Sequence, residues 1–424
     1  MISCSFRPRL LGAALAVLAL GGCGHGHYYG YGCDGCGNPG PPVTVAVPNS
    51  IAVADVNGDG VPDLLVATTA DQGFVNNAGF ANVILGVKSA PGTFATGVQY
   101  PTTGATNPSS IAVADLTGSG SLDLVIANFG SGSVSEFLHG TMPGTFQSAV
   151  NIVTGGQPNQ VVIADLNGDG KPDLVLADNS ASGNVIVLLQ NPTTPGLYQA
   201  PVNLPTGNFT PAVAVANLAG TAGAAPDIVA ATSDANGNNG AVYVFLHNPA
   251  TPGTFLAPVT FPAGAQPQAV RIADVNGDGL PDIIVANLGP GADGTGMAGV
   301  SVLLQDATHP GTFLAPVTYP TPFGAVDVAV ADLDGDGKPD LVVASYGPFP
   351  TGAVSVLLQN PSSPGTFAAA TVYPGFGQPL SVAIADLNGD GHPDIAVADG
   401  TSATVLLQNA ASPGTFAQAV QVGN

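Results

Sequence analysis

Residues 51–67 read Ile-Ala-Val-Ala-Asp-Val-Asn-Gly-Asp-Gly-Val-Pro-Asp-Leu-Leu-Val-Ala. Two short apolar runs flank nine residues, seven of which are Asp, Asn, Gly or Pro. Runs of this length, bounded by turn formers, are the pattern of two strands joined by a loop. No sustained helical period appears here or further along the chain.

The unit recurs. Its first acidic position returns at Asp55, Asp115, Asp165, Asn217, Asp274, Asp332 and Asp386. A second signature keeps the same rhythm: Pro-Gly-Thr-Phe starts at Pro91, Pro143, Pro252, Pro310, Pro364 and Pro413, and Pro195-Gly-Leu-Tyr fills the remaining slot. Two independent markers therefore count seven repeats. In the sixth, the pattern predicts strands at Val326–Leu333, Leu341–Ala344, Val354–Gln359 and Phe367–Tyr373. A lone four-stranded sheet cannot cover both its faces, but sheets packed face to face in a ring can, with only short edges exposed. The expected fold is all-β: a seven-bladed β-propeller with four antiparallel strands per blade, over residues 43–424. The Ala-rich first strands suit its crowded centre. The recurring aromatics Phe94, Phe146, Tyr198, Phe255, Phe313, Phe367 and Phe416 suit wedges between blades. A spare apolar run at Val43–Val47 and the terminal Phe416–Val422 compete to form the outer edge of blade seven.

The nine-residue loop carries the chemistry. In unit one, Asp55, Asn57, Asp59 and Asp63 (positions 1, 3, 5 and 9) offer side-chain oxygens, and Val61 at position 7 offers its carbonyl. Four further loops repeat the set: Asp165, Asn167, Asp169, Lys171 and Asp173; Asp274, Asn276, Asp278, Leu280 and Asp282; Asp332, Asp334, Asp336, Lys338 and Asp340; Asp386, Asn388, Asp390, His392 and Asp394. Oxygen-only, largely anionic ligands suit a hard, flexible ion, which points to Ca²⁺ over the more strongly hydrated Mg²⁺. The five loops hold sixteen of the chain's 28 acids. Carboxylates so crowded repel unless a cation lies among them. An EF-hand is excluded by the missing Glu at position 12 and by flanking strands. Unit two has Thr117 and Ser119 between Asp115 and Asp123, which leaves a weak site or none. Unit four reads Asn217-Leu-Ala219-Gly-Thr221, with two extra residues before Asp227, and should bind no metal.

Composition agrees with a β protein. Only 8% of residues are charged, Gly numbers 58 and Pro 38, and Glu136 is the sole glutamate. The Glu, Lys and Arg that helices favour are nearly missing. A net charge of −22 excludes nucleic acid as a partner.

Residues 1–22 read as an export signal, with Arg7 and Arg9 ahead of the apolar run Leu10–Leu20. Leu20-Gly21-Gly22-Cys23 resembles a bacterial lipobox, which implies lipidation of Cys23; an ordinary secretory signal is the alternative. The expected address is exported and lipid-anchored, at the bacterial outer membrane or cell surface, with that anchor the sole membrane contact. Residues 23–42 form a Gly/Tyr/Pro-rich tether. Its Cys33 and Cys36, with His25 and His27, suit either a small disulfide or a metal site.

The repeated Asp loop in its strand context, as in residues 51–67, resembles the FG-GAP/VCBS repeat family, which includes the integrin α-subunit propeller. The resemblance covers about Val43 to Asn424. It implies a seven-bladed propeller with Ca²⁺ in the hairpin loops on one face. The Phe-Gly and Gly-Ala-Pro signatures are absent as a regular pair, so an integrin-like partner does not follow.

The expected function is that of a monomeric, non-enzymatic binding or adhesion module for a protein or glycan. Its ligand would sit on the loop face opposite the metal loops, where the connections vary most. Thr68–Ala81 and Asn287–Gly299 are the longest of these, and Tyr100, Phe129, Phe209, Tyr319, Phe323, Tyr346, Phe349 and Phe376 lie on or near that rim. The alternatives are a lectin, although the chain has no Trp for sugar stacking, and a polysaccharide-active enzyme. The nine acids outside the Asp loops share no motif, and no triad or paired-Glu signature is present.

Overall fold

The computed structural model describes residues 46–70, 78–218, 225–290, 296–347 and 352–422. Cys23, the export signal and the tether lie outside the described residues, as do Ala219, Thr221 and Phe349. The described chain forms seven four-stranded antiparallel sheets, each with its strands in sequence order. First strands of successive sheets contact one another, and the first strand of sheet one contacts that of sheet seven. The sheets are thus blades of a closed ring, with first strands innermost. Among the described residues no helix is long and apolar enough to cross a membrane.

Blade six runs through strands Gly324–Ala331, Asp340–Tyr346, Gly352–Leu357 and Thr371–Phe376. The expected fourth strand, Phe367–Tyr373, starts too early. Phe367 makes a single bridge to Gln359 and turns into the seam between blades; the outer strand begins only afterwards. Both ends of the expected loop Thr68–Ala81 are likewise strand, because Asp63–Ala70 and Ala78–Ile84 pair from Thr69↔Gly79 inwards.

The competition for the outer edge of blade seven is decided. Val47 belongs to the innermost strand of blade one, Ala46–Ala54, and pairs with Thr69. Blade seven closes on its own Val420–Val422. Among the described residues no strand is exchanged across the closure, and blade one meets blade seven through an apolar cluster and the bond from Ile51 N to Ser381 Oγ.

An apolar layer holds every seam, and a polar layer is added at most of them. The apolar layer is a cluster of side chains from two adjacent blades. Between blades six and seven it contains Val342, Val354, Val382 and Val397 with Phe416. All seven signature aromatics lie in such clusters, each wedged against the preceding blade. Four of them receive an edge-to-face ring from that blade's outer strand: Tyr100 on Phe146, Phe261 on Phe313, Tyr319 on Phe367 and Tyr373 on Phe416, with centroids 5.3–5.7 Å apart. Such pairs add about 0.5–1.5 kcal/mol beyond the area they bury.

The second layer is polar and rings the axis. Most innermost strands carry a bulge near their start, at Pro48/Ser50, Pro108/Ser110 and Pro267/Ala269 for example. A bulge frees one residue from the ladder, and here the freed side chain reaches the next blade. Asn49 Nδ2 donates to the Pro108 carbonyl at 2.7 Å, Ser109 Oγ to Pro158 at 3.0 Å and Asn159 Nδ2 to Pro211 at 2.8 Å. The following residue accepts from the next blade's backbone: Ser50 from Ile111, Ser110 from Val161, Gln160 from Val213, Asp327 from Val382 and Ser381 from Ile51. Ala212 and Ala269 have no such acceptor. The seam after Ala269 has instead the ion pair Arg271–Asp327, at 2.6 Å.

Candidate metal centre

Each Asp loop is organised by its own backbone amides. In blade one, Asp55 Oδ1 accepts from Gly58 N (2.7 Å) and Asp59 N (3.2 Å), and Oδ2 accepts from Gly60 N (2.8 Å). Asn57 Oδ1 accepts from Asp59 N, and Asp59 Oδ1 from Val61 N, both at 2.9 Å. The same pattern builds the loops of Asp165, Asp274 and Asp386. Gly58 and Gly60 have φ of +72° and +86°, backbone angles that only glycine adopts without strain. The same turn thus orients the side-chain oxygens of positions 1, 3 and 5.

In blade six, where position 3 is Asp rather than Asn, ligand oxygens of Asp332, Asp334 and Asp340 lie within 4.8 Å of one another. Asp336 lies outside this group; Lys338 Nζ is 2.9 Å from its Oδ2 and lowers the carboxyl's pKa. Asn276 and Asn388 instead donate from Nδ2 to Asp278 and Asp390 at position 5. An oxygen-only set with three convergent carboxylates fits a divalent hard cation. Positions 1, 3, 5 and 9 would hold it with the position-7 carbonyl.

Position 9 has a second role that the sequence reading missed. Its carboxylate is at most 2 % exposed in all seven blades: Asp63, Asp123, Asp173, Asp227, Asp282, Asp340 and Asp394. One oxygen accepts from the position-2 amide of its own loop at 2.8–2.9 Å. The other accepts from the amide that ends the third strand (Gly86, His139, Gln190, His247, Gln305, Gln359 and Gln408) at 2.7–2.8 Å. The carboxylate therefore pins the loop to the third strand in every blade, including the two with degraded ion sets. The available signal was that Asp123 and Asp227 survive where positions 3 and 5 are lost.

Burial dominates the acidity of this pin. It pushes Asp63, Asp173, Asp282, Asp340 and Asp394 up to about 6, and the charges at positions 1 and 3 or 5 push the same way. The two backbone amides oppose the rise without cancelling it.

Position 2 was also overlooked. Val56, Leu116, Leu166, Leu218, Val275, Leu333 and Leu387 each point into the apolar cluster shared with the next blade. The loop is therefore anchored below and open above.

The rim aromatics divide. Phe129 and Phe376 are 5 % and 1 % exposed and cannot serve a partner as surface groups, because they fill the interior. Tyr100 and Tyr319 are half-buried and face the wedge aromatics. Phe209, Phe323 and Tyr346 are half-buried. One further departure lies between blades two and three. Glu136 stands where the six other blades have Val83, Val187, Val244, Val302, Val356 and Val405, and Tyr198 is the one wedge that is not Phe. Glu136 is 3 % exposed; burial, and then Asp123, raise its carboxyl to about 7. Burial, and then Glu136, raise the Tyr198 hydroxyl.

The pattern described as FG-GAP-like repeat matches residues 115–176, 225–285, 291–343 and 332–397, and that described as FG-GAP repeat matches residues 47–81. No curated protein matches the sequence. Among solved structures, the fold is similar to two proteins proposed to be 6-phosphogluconolactonases. The one from Bacteroides fragilis NCTC 9343 has a TM-score of 0.57 at 16% identity, covering 86% of this chain and 96% of that one. The one from Bacteroides uniformis ATCC 8492 has a TM-score of 0.56 at 14% identity, covering 84% and 95%. Hydrazine synthase of Kuenenia stuttgartiensis gives 0.56 at 14% identity, covering 88% and 99%. Likeness at such identity extends to the propeller and no further. The repeat matches span more than half the sequence, and with seven blades built around seven Asp hairpins the chain belongs to the FG-GAP repeat family.

Proposed function

We propose that this chain is a calcium-braced propeller that serves as a non-enzymatic binding or adhesion module, exported and lipid-anchored through Cys23. The observation that carries the reading is the contrast between its two faces. On one, five loops share a turn in which the position-1 carboxylate accepts from the position-4 amide, and in blade six three carboxylates converge. On the other, the second-to-third strand loops and blade connections differ in length and sequence from blade to blade. Repetition with a fixed ligand set suits a structural ion. Variation on a rigid frame suits recognition of a partner, a protein or a glycan.

Among the described residues, most acids outside the Asp loops are engaged in turns or seams, which supports a non-enzymatic reading. Asp178 accepts from Gln157 N and Ser180 N, and Asp399 from Thr401 N and Ser402 N. Asp234 and Asp306 close turns through Asn236 N and Thr308 N. The polar axis is a candidate ligand site by shape, with a cavity of ≈ 100 Å³. Its lining is largely committed to holding adjacent blades together.

The test is capture of partners from the native cell surface, beside a glycan array, with calcium and with EDTA. Calcium-dependent retention that is lost when the variable loops are replaced supports the reading. Turnover in a lactonase or polysaccharide-hydrolase screen would replace it with the enzyme reading.

A further inference from the structure

The two repeated motifs meet between blades, not within one. The turn glycine of the Pro-Gly-Thr-Phe signature packs on the preceding blade. A Cβ placed on Gly144 of blade two would stand 3.2 Å from Asn57 Cβ of blade one. The same holds for Gly253 on Asn167, Gly365 on Asn276, Gly414 on Asp334 and Gly92 on Asn388, at 3.1–3.3 Å. These five neighbours are the position-3 residues of the five intact loops. The remaining two turns follow the degraded loops: Gly196 faces Glu136, and among the described residues Gly311 faces Leu246. At the first seam a backbone bond adds to the contact, from Gly144 N to Val56 O at 3.2 Å.

We propose that this glycine is a positioning residue for the cation loop of the preceding blade, so that an ion bound in one blade tightens the seam to the next. The proposal rests on the calcium reading above. The glycine leaves just enough room for the position-3 side chain to stand over its loop, while the position-2 side chain is buried in the same seam. The loop around position 3 is thus held by two blades at once. An ion that draws in the position-3 oxygen also draws the loop against the neighbouring turn. All five turns have φ of +72° to +78°, so glycine serves both the turn and the close approach.

The offset by one blade gives a sharp test. Amide hydrogen exchange of the full chain is measured residue by residue with calcium and with EDTA. Calcium is expected to protect the amides of this turn in blades one, two, four, six and seven, and to leave those of blades three and five unchanged. Blades three and five have intact loops of their own, and blades two and four do not. Protection of the turns in blades three and five, with none in two and four, would overturn the proposal and leave calcium binding intact. No protection in any Asp loop would overturn both. A pair of variants separates position from strain. Gly365→Ala should lose the calcium-induced protection of the loop Asp274–Asp282. Gly207→Ala has a similar φ of +71° but open space around its Cβ, and should retain that protection. Equal behaviour of the two variants would also overturn the proposal.

Discussion

The loop of blade five and that of blade four differ in what they have kept. Blade five has Asp274, Asn276, Asp278 and Asp282; blade four has Asn217 and Asp227 among its described residues. Yet Asp227 accepts the same two backbone bonds as Asp282, from Leu218 N at 2.8 Å and His247 N at 2.7 Å. The ninth carboxylate belongs to the fold of every blade, whereas on the calcium reading the first, third and fifth positions would serve the ion. A hairpin can lose the second job and keep the first, because two buried amides still need an acceptor.

The largest expected effect is removal of the ion. Each site adds about 2.7 kcal/mol when calcium is a hundredfold above its Kd. Five sites that unfold with the ring should lower the calorimetric midpoint by roughly 10 °C or more in EDTA. An unchanged midpoint breaks the division of labour at once.

Next comes the pin itself. Asp227→Ala leaves two buried amides without an acceptor and should cost roughly 3 kcal/mol, equally with and without calcium. Asp282→Ala should cost about the same in EDTA and more in calcium. Equilibrium urea unfolding of both variants checks this, and a neutral Asp227→Ala would reduce the ninth position to a ligand.

Asp278→Asn is the converse. It should be neutral in EDTA and lose up to one site's ~2.7 kcal/mol in calcium, read in the same titrations.

The pH dependence sharpens the contrast further. In calcium-free protein the five pins of the intact loops have pKa values of about 6 in the fold, against an ordinary 3.8. A carboxyl raised in the folded state favours folding when protonated. Its contribution is present below about pH 4 and is lost as pH rises through 6. The midpoint in EDTA should therefore rise when pH is lowered from 7 to 5. In calcium the trend should reverse, because the ion favours the ionised carboxylates and protons compete with it. Parallel trends would show that the ion does not touch position 9.

The smallest effect is a gain. Thr117→Asn with Ser119→Asp restores the pattern in blade two, where Asp115 already accepts from Ser119 N and Gly120 N. Calorimetric titration should count one more calcium than in the parent chain.

Much of this was open to reading from the chain alone. Repeat number, strand count and the ligand positions follow from local chemistry: glycines where φ is positive, acids at fixed spacing, and short apolar runs between turns. These features sit within nine to sixty residues of one another, so their order along the chain preserves them. The start of the outer strand was misplaced for the opposite reason. Phe367 has the composition of a strand residue, and only the seam it fills shows that it serves as a wedge.

Sequence by itself determined that seven copies of a four-stranded unit would have to cover one another, and that five of their hairpins could hold a hard cation. Tertiary structure alone decided that the turn of one blade lies on the loop of another, that the bulged residues lace the axis, and that the ninth carboxylate is a buried pin. The physical reason is distance along the chain. Seams join residues some fifty or more positions apart, or, at Ile51 and Ser381, 330 apart, and no local pattern records which surfaces will meet when a ring closes.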